Sequence, residues 1–590
     1  MALWNVSRSS RVLLTTMLLF VSAGCSAAVT VPHPAAPSTP AVVFPTRDDL
    51  AKVPSKALSP DAFSTNAAPV ESWTFTKPPP ESVPAYDDPT RWGELLRAVV
   101  SPQAKEVTPS APLRCAAAEI AHFYLQKEAM PTESLQRFAI ARCGGTAVDV
   151  APLLWGGTAD VRIADDEIFE RSRAEIDRAL AKSLVRGRYV VGLAFARAEE
   201  RFVVVGLVGR DDARIDAGSL RADASREVVV RGTLHDDAAD VFAMINRGEF
   251  GAAACDAGPR DAPRQFAFTC RLADGDTVAW AQVTVRREGR LLLTPVAELL
   301  VRTADAGALL YRAPSSGRPA LVEAPSELSA AIIDGVNTVR ARARLVPLAP
   351  APHQGAENTR LAGTLIDALL ERDDTVGDRI ALGLIAGWEV DGLIRRGSLY
   401  VGRVGGPARD ARMWIDNALE QPLGRLVLLD PAARQIAIGP AMPEGVPALG
   451  AVVTTYTFFE SADHTEDIDR FLRLVAAARA ARGMPQVTRV PAKELAEAAR
   501  KVLELGEQPT AALDAAMKGI VSRTPVRVEG FLLEANDLEH VQVPDALLRS
   551  GPLRVSLEVT HHRAPGAAWG QLVVFIVIIS PLDGGPLRRL

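Results

Sequence analysis

Val336-Asn337-Thr338-Val339-Arg340-Ala341-Arg342-Ala343-Arg344-Leu345-Val346-Pro347-Leu348 reads as the closing turns of an amphipathic helix. Ile332, Ile333, Val336 and Val339 repeat at three- and four-residue steps, which places them on one buried stripe. Arg340, Arg342 and Arg344 are expected on the wet side, and Pro347 ends the turn. Downstream, Met413-Trp414-Ile415-Asp416 gives a second helical phrase, and Gln421-Pro422-Leu423-Gly424-Arg425-Leu426-Val427-Leu428-Leu429-Asp430-Pro431 follows it. Arg434-Gln-Ile-Ala-Ile-Gly439 and Gly450-Ala-Val-Val-Thr-Thr-Tyr-Thr-Phe-Phe459 are apolar runs split by a Pro/Gly turn, the pattern of a hairpin laid over helices.

This succession resembles the CAP superfamily, that is, cysteine-rich secretory proteins, antigen 5 and pathogenesis-related proteins, in the form of a bacterial SCP-like lipoprotein with degenerate tandem units. The matching features are the N-x-x-R helix ending in L-x-P-L, the Trp helix, the P-x-x-R-x-x-L-L-x-P segment, the I-x-I-G strand and the last apolar strand. They cover about a quarter of the chain. The resemblance implies helices stacked on a sheet and, in catalytic or metal-binding members, two His and two Glu converging in a groove.

Here the residues matching the family's S-P-x-H-R motif are Gln421-Pro422-Leu423-Gly424-Arg425, so Gly424 stands where the imidazole belongs. No His occurs between His353 and His464. Glu371, Glu389 and Glu420 are present, but a carboxylate without its imidazole reads as a solvated helix residue. His122 beside Phe123 reads as a satisfied core residue, and His235 with Asp236 and Asp237 as a polar turn. His561-His562 end a strand, and neighbouring strand residues point to opposite faces, which separates the two rings. No G-x-S-x-G elbow, H-E-x-x-H helix or Walker glycine loop is present. No catalytic residue, metal site or cofactor is therefore expected. What remains of the family's equipment is a groove, with Trp388, Tyr400, Trp414 and Arg425 as lining candidates; Tyr456, Arg395, Arg396 and Arg403 are further candidates near it.

A net charge of -5 with acids and bases mixed along 590 residues gives no electrostatic footprint for nucleic acid. Arg8 and Arg11 precede the apolar run 12–21, which is too short to span a bilayer and reads as a signal peptide over 1–25. Ser22-Ala23-Gly24-Cys25 resembles a lipobox, with Ser22 where Leu is usual; it makes Cys25 the lipidation candidate and leaves ordinary signal-peptidase cleavage as the alternative. Four cysteines remain, Cys115, Cys143, Cys255 and Cys270. An even number in an exported chain favours two disulfides; three connectivities are open, and Cys115 with Cys143 and Cys255 with Cys270 are the local choices.

The organisation that follows is α+β. Residues 26–89, rich in Pro, Ala and Ser, read as a disordered tether. An N-terminal α+β domain spans 90–220, a small antiparallel β-sandwich module 225–303, a CAP-like domain 325–461 and a degenerate CAP-like domain 463–582. Val475-Ala-Ala-Ala-Arg479-Ala-Ala-Arg-Gly483 lies on the opening phrase with Arg479 on Arg340 and Gly483 on Arg344, and the run from Gly570 to Ile579 lies on the run from Gly450 to Phe459. The N-terminal domain, with its helices followed by apolar strands, is a candidate third and divergent copy; the competing account is that any α+β domain ends in apolar strands.

The expected role is non-catalytic binding or scaffolding at a bacterial cell surface, in an exported chain that is either an outer-membrane lipoprotein or extracellular or periplasmic. The membrane, through the lipid, and a lipid, envelope polymer or protein ligand are the expected partners. The alternatives are a hydrolase on envelope polymers and a structural lipoprotein without a CAP fold.

Overall fold

In the computed structural model the opening phrase is a helix, Pro325–Arg342, with Pro325 at its first position and Glu327 bonded back to the Ala324 amide. Leu328, Ile332, Val336 and Val339 form its buried stripe. Arg340 departs from the expected wet face, because its guanidinium is 0% exposed. Its donors are taken up by main-chain oxygens: Nε by Val346 at 2.8 Å, Nη1 by Leu428 and Asp430 at 3.0 Å each, and Nη2 by Ala433 at 3.4 Å. Burial lowers its pKa to about 10. The carbonyls of a loop stand in for water, and this is why a buried cation is tolerated here.

The structure describes residues 2–5 and 44–581 apart from short breaks at 61–66, 85–87, 89, 99–103, 185–186, 260–261, 288–292, 308, 314–318, 372, 460–463, 524–525, 536–537 and 539–540. The proposed signal segment beyond residue 5, with Cys25, lies outside the described residues. The chain divides into a larger unit, chiefly 45–385 and 398–455, and a smaller one, chiefly 386–397 and 456 onward.

In the larger unit, the N-terminal α+β domain has a sheet ordered Ala104–Pro109, Gly187–Ala198, Arg201–Arg210, Val148–Thr158. Its first two strands are parallel and the others antiparallel. Val203, Val205 and Leu207 pack against the helices Ala111–Lys127 and Glu133–Arg142. Val204 and Val208 face Leu96 of Arg91–Ala98 and Phe169, Ile176 and Leu180 of Asp165–Ser183. Alternation along one strand therefore feeds two helical layers. Cys115 and Cys143 are bonded across the helix pair.

The β-module consists of two four-stranded sheets sharing one core, with Cys255 bonded to Cys270. The central sheet is ordered Ala2–Asn5, Ile394–Gly405, Ala448–Phe458, Gln435–Ala441, Ala349–Pro350, with the last pair parallel. The helix Pro352–Glu371 lies close on this sheet, since a Cβ on Gly439 would stand 2.3 Å from the Asn358 carbonyl carbon.

In the smaller unit the sheet is ordered Thr488–Arg489, Arg554–His562, Gln571–Pro581, Val526–Ala535, again with only the first pair parallel. Val574, Ile576 and Ile578 face the helix Thr465–Ala480. Val573, Phe575, Val577 and Ile579 face Lys493–Leu505 and Pro509–Arg523. Each such aliphatic or aromatic side chain contributes on the order of 1.5–3 kcal/mol by burial, so an eight-residue run apolar on both faces is the natural spine.

One order of elements therefore recurs three times. A helix leads to a strand parallel to the later hairpin, then come two helices, an outer strand, helical turns and an antiparallel hairpin.

The expected tether is corrected over its described part. Leu50, Val53, Leu58, Phe75 and Val83 are buried, and the segment is laid over the body of the larger unit. Thr46 and Asp49 form a capping box that starts the helix Arg47–Ala51. Arg360 donates to the Leu50 and Val53 carbonyls at 2.8 Å each, and Lys56 pairs with Asp367 at 2.7 Å. A Cβ on Gly363 would stand 1.9 Å from the Lys56 carbonyl oxygen, and one on Gly383 2.3 Å from a Leu50 methyl. Further on, buried Glu119 accepts from the Thr76 amide, the Thr76 hydroxyl and the Lys77 amide at 3.0, 2.7 and 3.0 Å. The stretch folds because the body supplies the apolar surface that the stretch lacks.

Candidate functional site

The helix Ala411–Glu420 is started by Asp410, whose carboxylate accepts from the Arg412 and Ala320 amides at 3.0 and 2.9 Å. That start turns Trp414 inward, 1% exposed, edge-on to Tyr400, 0% exposed, with ring centroids 5.6 Å apart at 78°. Gly402 makes room for the pair, because a Cβ there would meet both rings at 2.9 Å. Neither the Tyr400 hydroxyl nor Trp414 Nε1 has a hydrogen-bond partner among the described residues. Burial pushes the phenol pKa up.

Charged side chains from other elements surround this pair. Arg137 bonds Glu420 and stands 4.0 Å from Glu298. Ser134 donates to the other Glu420 oxygen, and the Tyr311 hydroxyl donates to Ser134 at 3.2 Å. Gln282 donates to Glu298 at 2.7 Å, and Asn246 donates to the Glu420 carbonyl at 2.7 Å. Burial raises the carboxyls of Glu133 and Glu298 above the ordinary range and the Tyr311 phenol to about 12. Three carboxyl groups and one guanidinium thus share a buried polar cluster, in which Arg137 is the partner of Glu420 and burial biases Glu133 and Glu298 toward the neutral form. Glu420 was expected as a solvated helix residue; it is instead the hub of this network, because Arg137 and Ser134 come to it from a helix almost three hundred residues earlier.

The four groove candidates separate. Tyr400 and Trp414 are core, not cleft lining. Arg425 clasps main-chain oxygens of Leu419 at 2.6 Å, Gly248 at 2.9 Å and Gly251 at 3.0 Å, which ties its helix to the β-module. Burial lowers its pKa to about 10. Trp388 belongs to the smaller unit, with the Arg563 guanidinium 5.7 Å over its ring. Of the neighbouring candidates, Tyr456 and Arg396 are buried and Arg395 lies over Phe459. Gly424 packs so tightly that a Cβ there would fall 1.9 Å from the Ala418 carbonyl oxygen.

Among the histidines, His122 bonds Gln126 at 2.7 Å and His235 bonds Asp211 at 3.2 Å, the latter contact raising the His235 pKa. His561 meets His464, a residue not singled out from the sequence because 97 positions separate the two. No group of three or more His, Cys, Asp or Glu with metal-holding geometry occurs among the described residues.

No family model matches the chain, and no curated protein does. One solved structure to which it is similar is an extracellular protein containing an SCP domain from Bacillus anthracis str. Ames. The two are 14% identical with a TM-score of 0.17, over 40% of this chain and 83% of that one. The class is fixed by the chain's own strand order: an α+β protein with helices on both faces of its N-terminal and C-terminal sheets. Among the described residues no helix is long and apolar enough to cross a membrane.

Proposed function

We propose that this chain is an exported envelope protein built from three CAP-like copies and one β-sandwich insert, working as a binder or scaffold at the cell surface. The N-terminal, central and C-terminal domains, bounded roughly as read from the sequence, are the copies. The observation that carries the non-catalytic part is the packing at Gly424. The backbone of Ala418 occupies the space an imidazole would need at the family's motif position, so the central copy is built around Trp414 and Tyr400 packing. The two disulfides fit an oxidising compartment.

The test is binding of the purified chain to isolated envelope polymer, lipid vesicles and membrane protein extract, alongside metal analysis. Saturable binding to one class with no bound metal supports the reading; stoichiometric zinc in the central copy ends it. Palmitate labelling of wild type against Cys25→Ala tests the anchor.

A second reading, hydrolysis of an envelope polymer, draws on Glu133 and Glu298, carboxyls that burial biases toward the protonated form as a general acid requires. It predicts polymer cleavage that Glu298→Gln abolishes.

A further inference from the structure

His464 lies just before the helix Thr465–Ala480 and is buried, and its two ring nitrogens are both engaged. Nδ1 lies 2.9 Å from Asp467 Oδ2 in the first turn of the same helix. Nε2 lies 3.0 Å from Nδ1 of His561, at the end of the strand Arg554–His562. His561 is itself stacked on Phe459, with centroids 4.8 Å apart and planes 15° apart. It continues the strand face of Leu557 and Val559, which packs against Ile468, Phe471 and Val475 of that helix. The contact is thus a polar clasp at the end of an apolar seam.

Bonding fixes the protons. Asp467 accepts only, so His464 Nδ1 carries hydrogen and, in the neutral ring, His464 Nε2 is a bare acceptor for the Nδ1 hydrogen of His561. One added proton can sit on His464 Nε2, pointing at His561 with its own hydrogen moved to the far nitrogen, and both bonds survive. A second proton leaves two imidazolium rings facing each other across the same gap, with a hydrogen on each and no acceptor.

Among the described residues, the charges around the pair offer little relief. Asp467 is shared with Arg470, 4.0 Å away, and Arg470 is also held by Glu466 at 3.2 Å. The Arg395 guanidinium lies 5.8 Å over the Phe459 ring on which His561 stacks. The residue opposite His561 on the strand Gln571–Pro581 is Leu572, which cannot take up charge. His562 points to the other face of the sheet.

We propose that His464 and His561 form an acid-sensitive latch, which clips the start of the helix Thr465–Ala480 to its sheet at neutral pH and releases it when both rings are charged. Burial and the neighbouring His464 hold the His561 pKa down to about 4, in keeping with a ring that resists the second proton. A metal clasp fits less well, since among the described residues only two imidazoles face each other and Asp467 is turned to the far nitrogen. The device would let an exported protein loosen one helix in an acidified surrounding without unfolding its β-spine.

Hydrogen exchange of the full chain, read on peptides covering 464–475 and corrected for intrinsic chemistry, tests this. Between about pH 7 and about pH 4 protection there should fall by about tenfold or more, while peptides from 571–581 keep theirs. His561→Gln keeps a polar group but no titrating ring and should make exchange at 464–475 independent of pH; Asp467→Asn, an independent variant, should move the release to higher pH. Unchanged protection in the wild type, or the same acid release in His561→Gln, overturns the latch. Protection by micromolar zinc that His561→Gln abolishes also overturns it, in favour of a metal clasp.

Discussion

Arg340 and Arg479 do the same work in two copies of one fold, each buried and each spending its guanidinium on main-chain oxygens of the same kind of loop. Arg479 gives Nε to Pro485 at 2.6 Å, Nη1 to Leu547 at 2.6 Å and Arg549 at 3.0 Å, and Nη2 to Gly551 at 2.7 Å. In both, the first acceptor lies six residues downstream. A lysine cannot span four acceptors, and bonds to charged donors are worth about 1.5–3 kcal/mol each. Arg340→Lys and Arg479→Lys should each cost about 2–4 kcal/mol in urea titrations. A loss below about 0.5 kcal/mol in either would show that the carbonyl cage is not what holds the loop.

The turn after the helix that carries Arg340 holds Arg344 at φ of 58°, and the turn after the one that carries Arg479 holds Gly483 at φ of 65°. Glycine meets no side-chain penalty in that left-handed conformation, and arginine does. Arg344→Gly should therefore stabilise the larger unit by about 0.5–1 kcal/mol, a rise in melting temperature that calorimetry can resolve.

Placing an imidazole at position 424 by Gly424→His should fail structurally. The new Cβ would overlap the Ala418 carbonyl, so we expect loss of several kcal/mol and no gain of zinc affinity by isothermal titration. A folded variant that binds zinc would refute the account of this position.

Two acid responses of opposite sign are expected. Glu298 has its pKa raised by burial, so its favourable contribution is complete below the ordinary carboxylate value and is lost as pH rises through the folded value. Glu298→Gln, which mimics the protonated form, should be more stable than wild type at neutral pH, with the gap closing toward about pH 4. His561 has its pKa lowered to about 4, so the stability tied to its neutral ring is present above the ordinary histidine value and is lost as pH falls through the interval down to about 4. The smaller unit should accordingly weaken on acidification, and His561→Gln should weaken less; denaturant midpoints across that range decide both cases.

Leu50 sits against Gly383 in a seat shaped for it. Leu50→Ala should cost about 2–4 kcal/mol, and protease should then cut within 45–60 before the rest of the chain.

Much of this architecture was legible. Hydrophobic period located the central helix and both hairpins, and local cysteine spacing agreed with the bonded pairs. The phrase alignment that put Arg479 on Arg340 and Gly483 on Arg344 agrees with cage and backbone angle alike. What eluded the sequence were properties that belong to distant partners. Arg340 looks solvated because its acceptors are main-chain oxygens, which leave no trace in side-chain chemistry. Glu420 looks idle until Arg137 arrives, and His561 until His464 does. The segment from 45 to 84 looks structureless by composition, although Thr46-Arg-Asp-Asp49 is a helix-start signature that could have marked it.

That last segment also sets a range of action. Were a lipid carried on Cys25, the span from it to the first pinned helix would be roughly twenty residues, no more than about 75 Å even at full stretch. A leash of the whole 26–89 stretch would have reached about 200 Å or more. With such an anchor, docking by Leu50 would keep the larger unit within that shorter radius of the bilayer, and a ligand would have to come inside it.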